Sequence, residues 1–194
     1  MSHSHDKTYI ASLGFSDPDK NLSEHDLACR YLCEKENVLS LVKNFGTPRR
    51  WWEPNPYVAA LQECPINQES GSFKRTIGFA DVILDCYIPT GRKKEETYGK
   101  TVETVFEANH LNALIEVKIK PQSINTAIRQ LKFYKTYMEK YKCMVFILAT
   151  RFKITENDIK NLKENEIEHI FLGDMFTKYL KMSENDKYTE MIEI

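Results

Sequence analysis

The stretch that decides the fold of this chain runs from Gly78 to Tyr134 and contains Gly78-Phe79-Ala80-Asp81-Val82-Ile83-Leu84, Leu114-Ile115-Glu116-Val117-Lys118-Ile119 and Gln130-Leu131-Lys132-Phe133-Tyr134. The first two segments are apolar, β-branched runs interrupted by polar residues, a pattern that predicts buried strands carrying chemistry. Side chains alternate between the faces of a strand, so Glu116 and Lys118 share one face. Burying carboxylates costs free energy unless they are paired or bind a metal ion.

The third segment predicts a helix that follows the Glu116 strand. Gln130 and Tyr134 are four residues apart and therefore share one helical face. Pro121 and Ser123 start this helix, and apolar residues recur along its inner side as far as Met138. Two carboxylates on neighbouring strands with a lysine beside them suit a magnesium-dependent phosphodiester hydrolase.

This order of residues resembles the PD-(D/E)xK nuclease superfamily, in which an Asp is followed by Glu-x-Lys on the next long strand. The Gly-x-x-Asp piece at Gly78 and the Gln-hydrophobic-x-x-Tyr piece at Gln130 are most similar to RecB-like nuclease domains. The matched stretch covers about the middle third of the chain, and Ala80 stands where the superfamily name has a proline. The resemblance implies an α/β fold with a restriction-endonuclease-like αβββαβ core, a central mixed sheet flanked by helices.

The resemblance also implies a set of site residues. Asp81, Glu116 and the backbone carbonyl of Val117 would bind one or two Mg²⁺ (or Mn²⁺) ions. Lys118 would orient or help to deprotonate the attacking water. Gln130 would hold the nucleophile or a nearby phosphate.

Two positions stay open at this level. Asp85 shares the Asp81 face by alternation, and Asp81 is preferred because Gly78 lies three residues before it. Many relatives place a further acid on the first helix. The candidates here are Glu24, ranked first, Glu34, Glu36 and Glu63.

Length and composition predict a single domain. With 194 residues and 42% hydrophobic content, the chain is long enough for one core. We expect a polar segment over 1–22, one nuclease-like domain over 23–182 and a polar tail over 183–194.

The net charge is −1, which excludes a globally basic surface for nucleic acid. Binding must therefore come from a local patch or from a partner. The segment Arg49-Arg50-Trp51-Trp52 combines cations with indole rings, as a base-stacking and phosphate-binding loop would. The alternative is that one tryptophan covers the core while the arginines face solvent.

Five scattered cysteines predict reduced, mostly buried thiols in a cytoplasmic protein. We expect no signal peptide and no membrane span, because no apolar run is long enough.

Periodicity predicts the remaining elements. We expect a single helix from Ser23 to about Asn44, a short one from Pro56 to Cys64, one capped by Thr155 with Asp158, and a short one at Asp174. Strands are expected over 72–88, 102–107, 143–149 and 167–172. A turn is expected at 89–92 and a loop tip at 93–96.

The first functional hypothesis is a metal-dependent nuclease that hydrolyses DNA in repair, recombination, phage biology or defence. The alternatives are a nucleic-acid-binding or scaffold module that is inactive without a partner, and a sequence-specific restriction endonuclease. The expected partners are nucleic acid, with DNA placed first and RNA left open, and a protein partner or a second copy of the chain. The residues leave exonuclease and endonuclease action equally open.

Overall fold

A computed structural model describes residues 9–12, 22–70, 73–121, 124–138 and 144–190. The described residues form five helices and seven strands. The strands are β1 Tyr9–Ser12, β2 Thr47–Trp51, β3 Tyr57–Ser70, β4 Phe73–Tyr98, β5 Thr101–Lys118, β6 Met144–Thr150 and β7 Ile167–Phe171; the helices are α1 Glu24–Cys33, α2 Lys35–Phe45, α3 Ile124–Met138, α4 Glu156–Glu164 and α5 Gly173–Glu190.

All of the strands belong to one mixed sheet of order β1-β3-β4-β5-β6-β7, and β2 pairs with the first half of β5. Strands β3, β4 and β5 are antiparallel, whereas β6 and β7 continue parallel to β5, and β1 is parallel to β3. The predicted α/β class, with a central mixed sheet flanked by helices, is confirmed.

The sheet is covered on both faces. One apolar cluster joins the sheet to α1, α2 and α5, and the other joins it to α3 and α4. The side chains of β5 divide between the two clusters, because Ile115 and Val117 belong to the first and Leu114 to the second. Glu116 therefore faces α3 from between the buried apolar residues Ile115 and Val117.

Several local predictions are confirmed. Capping boxes open α1 and α4, in which Ser23 pairs with Asp26 and Thr155 with Asp158. Four of the five cysteines lie in the described part of the chain and carry free thiols. Burial raises the pKa of Cys33 to about 11 and that of Cys86 to about 12. Within the same part, no helix is both long and apolar enough to cross a bilayer.

The short helix predicted from Pro56 to Cys64 is wrong, since residues 57–64 belong to β3. Val58 and Ala60 are buried at a spacing of two, and pairing with β4 overrides the helical start at Asn55-Pro56. The predicted turn at 89–92 and loop tip at 93–96 are also wrong. β4 passes through both with a register shift between Pro89 and Lys93.

The single helix predicted from Ser23 to Asn44 is in fact two. Glu34 is extended between α1 and α2, and Asn37 donates its side-chain amide to the Tyr31 carbonyl at 2.6 Å, so the broken helix end keeps a hydrogen-bond partner. The segment after Phe45 forms β2, and the helix expected to be short at Asp174 is α5, which has 18 residues.

Regular structure also occurs outside the predicted domain limits of 23–182. The backbone of β1 pairs with β3 from within the 1–22 segment. Helix α5 extends to Glu190, within the expected tail.

Candidate active site

Asp81 lies where β4 and β5 separate. The last paired residues before this point are Val82 and Ile115. Beyond this point the Asp81 side chain replaces a backbone acceptor of β4, because its Oδ2 accepts a hydrogen bond of 2.7 Å from the Val117 backbone N–H. This contact fixes the Asp81 side chain beside the β5 residue that follows Glu116.

Glu116 is the buried acid of the site, with 1% of its surface exposed. Its Oε1 accepts a hydrogen bond of 2.5 Å from Lys118 Nζ, and its Oε2 accepts one of 3.2 Å from Gln130 Nε2. Burial and, after it, the negative charge of Asp81 together raise the pKa of Glu116 to about 7, while Lys118 acts in the opposite direction. This pairing allows a carboxylate to remain inside the sheet.

Gln130 is held in place from behind by Tyr134. Gln130 Nε2 donates to the Tyr134 hydroxyl at 2.9 Å, and that hydroxyl donates to the Phe79 carbonyl at 3.0 Å. Both donors of the Gln130 amide are thereby used, which leaves its carbonyl oxygen as an acceptor.

The close approach of α3 to β4 explains Gly78. A Cβ at this position would lie 2.4 Å from the Tyr134 hydroxyl oxygen, well inside van der Waals contact. Gly78 therefore makes room for the ring that positions Gln130.

The structure thus brings Asp81, Glu116, Lys118 and Gln130 together, and Val117 joins them through its main chain. Asp85 lies elsewhere. Its half-exposed carboxylate hydrogen-bonds to His110 at 3.1 Å.

None of the four candidate acids supplies a further carboxylate to the site from α1. Glu24 pairs with Arg151 at 3.0 Å and Glu34 reaches the Tyr179 hydroxyl at 3.5 Å, while Glu36 is exposed. Glu63 lies on β3 instead. Its neighbours pair with Val82 and Ala80, so Glu63 is opposite Asp81 in register, with a left-handed φ of 47°.

The α1 residue that reaches the site is His25, which the sequence interpretation missed because it considered only acids. His25 Nε2 lies 3.2 Å from Asp81 Oδ2. The hydrogen bond to Asp81 raises the pKa of His25, and burial opposes this rise. Its position four residues before the buried Cys29 would have placed it on the inner face of α1.

The donor atoms available for a cation are two carboxylates and one main-chain carbonyl. Among the described residues, no group of three or more His, Cys, Asp or Glu side chains is arranged to hold a metal ion. In an extended strand the N–H and C=O of one residue point to the same edge, so the Val117 carbonyl faces the side where Asp81 lies. Hard oxygen donors of this number fit Mg²⁺, which commonly binds one or two carboxylates and completes its shell with water and substrate phosphate.

Comparison of the chain with protein-family models, with curated proteins and with solved structures found no match.

Proposed function

We propose that this chain is a Mg²⁺-dependent nuclease with a restriction-endonuclease-like core that hydrolyses phosphodiester bonds of DNA. What supports the proposal is the convergence of Asp81, Glu116, Lys118 and Gln130 from two strands and one helix onto a single half-buried cluster. An ordinary buried ion pair needs only an acid and a base. It does not need a second acid, or an amide held by its own tyrosine.

Asp81, Glu116 and the Val117 carbonyl would hold the cation. When bound, Mg²⁺ supplies a Lewis acid for the phosphate and lowers the pKa of a coordinated water.

The remaining groups act on the water and the phosphate. Lys118 projects from the same face as Glu116, and its ammonium group offsets the negative charge that builds up on the phosphate. The Gln130 carbonyl oxygen is left to accept a hydrogen bond from a water molecule, because the amide nitrogen is already engaged. His25 helps to hold the Asp81 carboxylate in place, through the same Oδ2 atom that accepts the Val117 N–H.

The first prediction concerns metal dependence and the division of roles. Purified protein should cleave end-labelled DNA with Mg²⁺ or Mn²⁺ and lose this activity in EDTA. Glu116→Ala should abolish Mg²⁺ binding in calorimetry, because it removes a ligand. Lys118→Ala should retain binding and lose at least about a hundredfold in turnover.

Asp85→Ala is the matched acid control and should leave both binding and turnover close to wild type. Cleavage that persists in EDTA, or a wild-type rate for Lys118→Ala, would overturn the proposed mechanism. A loss for Asp85→Ala equal to that for Asp81→Ala would mean that the wrong acid had been assigned.

The net charge of −1 favours a second candidate, a nucleic-acid-binding module of nuclease ancestry that needs a partner for activity. Wild-type protein that binds DNA and Mg²⁺ but cleaves neither DNA nor RNA would support this alternative.

A further inference from the structure

A groove lies between β2 and the middle of the β4–β5 ribbon, away from the Asp81–Glu116 pair. Its volume is about 660 Å³, and its lining includes Arg49, Arg50, Trp52, Tyr87, Lys94 and His110. We call it the arginine–tryptophan groove. None of its residues takes part in the site described above.

The two tryptophans have different environments. Trp51 is stacked on Tyr87 with ring centroids 4.2 Å apart, and Tyr87 is stacked in turn on His110 at 4.1 Å. The Trp51 indole also donates to the Asn55 carbonyl at 3.1 Å. Trp51 therefore packs behind the groove against the lining residue Tyr87, whereas Trp52 lines the groove and is 61% exposed.

The lining is more cationic than anionic. Arg49, Arg50 and Lys94 contribute three positive charges, against one carboxylate from Glu107. Arg50 pairs with Glu96 at 2.7 Å and Lys94 pairs with Glu107, but the two cationic side chains remain 61% and 57% exposed. Exposed ion pairs of this kind are weak, so a phosphate can compete for both cations.

The groove and the carboxylate pair lie on one face of the sheet. Residues His110, Asn112, Leu114 and Glu116 alternate to the same side of β5, and Leu114 and Glu116 both contact the α3 side. Six residues of strand span about 20 Å. A single-stranded nucleic acid with stacked bases, at about 3.4 Å per nucleotide, would cover this distance with about six nucleotides.

We propose that the arginine–tryptophan groove binds single-stranded nucleic acid, holding the strand about six nucleotides from the phosphate at Asp81 and Glu116. The inference rests on the proposed function, because it assigns the substrate of that site. An exposed indole beside cations suits unpaired bases, which stack on an aromatic ring while their phosphates contact the positive charges. In a duplex the bases are already stacked and paired.

The first test measures binding without turnover. A fluorescein-labelled 20-nucleotide single strand is titrated with Glu116→Ala protein in EDTA, and anisotropy is followed over a series of salt concentrations. Adding Trp52→Ala should weaken binding about tenfold. Adding Arg49→Gln with Arg50→Gln should weaken it and flatten the salt dependence by about one unit of slope.

Matched controls come from the opposite edge of the sheet. Phe171→Ala removes an aromatic ring that is 45% exposed from β7, and Lys160→Gln with Lys163→Gln removes two cations from α4, which packs on β7. Both should bind like the parent. Melting temperatures are recorded for every variant, because Arg50 also bonds to Glu96 and Tyr98.

The second test uses the length of the strand. Trp52→Ala in otherwise wild-type protein should lower kcat/KM on a 20-nucleotide strand and leave kcat/KM on a 4-nucleotide strand unchanged, since the short strand cannot reach the groove.

Groove variants that fold and bind like their controls, or a duplex that binds as tightly as a single strand, would overturn the inference. The two proposals fail separately. If the groove variants bind more weakly but the wild type shows no metal-dependent cleavage, the binding groove is supported and the nuclease proposal is rejected. Cleavage with unaltered binding keeps the nuclease and rejects the groove.

Discussion

Glu116 couples the candidate site to pH. Its ordinary pKa of 4.5 is raised to about 7 by burial and by Asp81. Below that value the carboxyl carries a proton, which must leave before the group can bind a cation. Calorimetric affinity for Mg²⁺ should therefore fall about tenfold per unit as the pH drops below about 7, and level off above it.

The raised pKa of Glu116 also makes the stability of the fold depend on pH. Between pH 4.5 and 7 the folded state binds more protons at Glu116 than the unfolded state does, so the free energy of unfolding without metal should decrease as the pH rises through this interval. Glu116→Gln should remove this part of the pH dependence. Magnesium affinity that does not change between pH 5.5 and 8.5 would contradict the assignment.

Gly78 and Tyr134 should behave as one unit. Gly78→Ala should destabilise the protein by about 1–3 kcal/mol because its Cβ would overlap the Tyr134 ring. Tyr134→Phe should cost about 1 kcal/mol through the loss of the bonds to Gln130 and Phe79. In urea unfolding, the double variant should cost less than the sum of the two singles, because the closest clashing atom is the hydroxyl. Additive costs would mean that Gly78 is required for another reason.

At the scale of elements, two identical capping boxes provide a comparison. Ser23 caps α1, which carries His25, and Thr155 caps α4, which is remote from the site. Ser23→Ala and Thr155→Ala should each cost about 1 kcal/mol, or about 2–4 °C in melting temperature. Only Ser23→Ala should also change magnesium affinity, because it loosens the helix that holds His25 against Asp81. Equal effects of both variants on magnesium affinity would show that the position of α1 does not influence the site.

Element prediction succeeded where the local pattern is decisive, as at β6 and β7, and failed where pairing overrides the local pattern. The capping boxes and α3 follow from side chains within one turn. Residues 57–64 and 89–96 fit helix, turn or loop patterns locally, but antiparallel pairing makes both of them strands. The break at Glu34 was equally hidden, because the apolar spacing continues through it.

At the scale of the whole molecule, cation binding should appear as thermal stabilisation. A ligand that binds only the folded state at about 100 times its Kd adds about 2.7 kcal/mol. For a chain of this length, that corresponds to roughly 5–10 °C in melting temperature. Mg²⁺ should therefore raise the melting temperature of wild-type and Asp85→Ala protein and leave Glu116→Ala unchanged. If Mg²⁺ raised the melting temperature of Glu116→Ala as much as that of the wild type, the cation would bind at a site that does not include Glu116.

The candidate site was predicted more completely than the molecule around it. The family resemblance singled out Asp81, Glu116, Lys118 and Gln130, and periodicity alone indicated only that these groups can converge. The structure brings their side chains together. Helical spacing to Cys29 could have placed His25 on the inner face of α1, but its contact with Asp81 could not be predicted, because it depends on how α1 docks on the sheet. The sequence singled out the Arg49–Trp52 segment as a binding element. It could not show that Tyr87, Lys94 and His110 line the same groove, because that depends on the pairing of β2 with β5.

We expect the β4–β5 hairpin to set the order of folding events. Its strands are joined by the turn at Gly99 and Lys100, and hairpin pairing is a local, fast process, whereas the parallel pairing of β5 with β6 must close a longer loop. Asp81 and Glu116 lie on the two arms of this hairpin, so we expect them to meet as it closes, before the outer strands are in place. A divalent cation captured at that stage would act on the folding transition state, so it would speed refolding more than it slows unfolding.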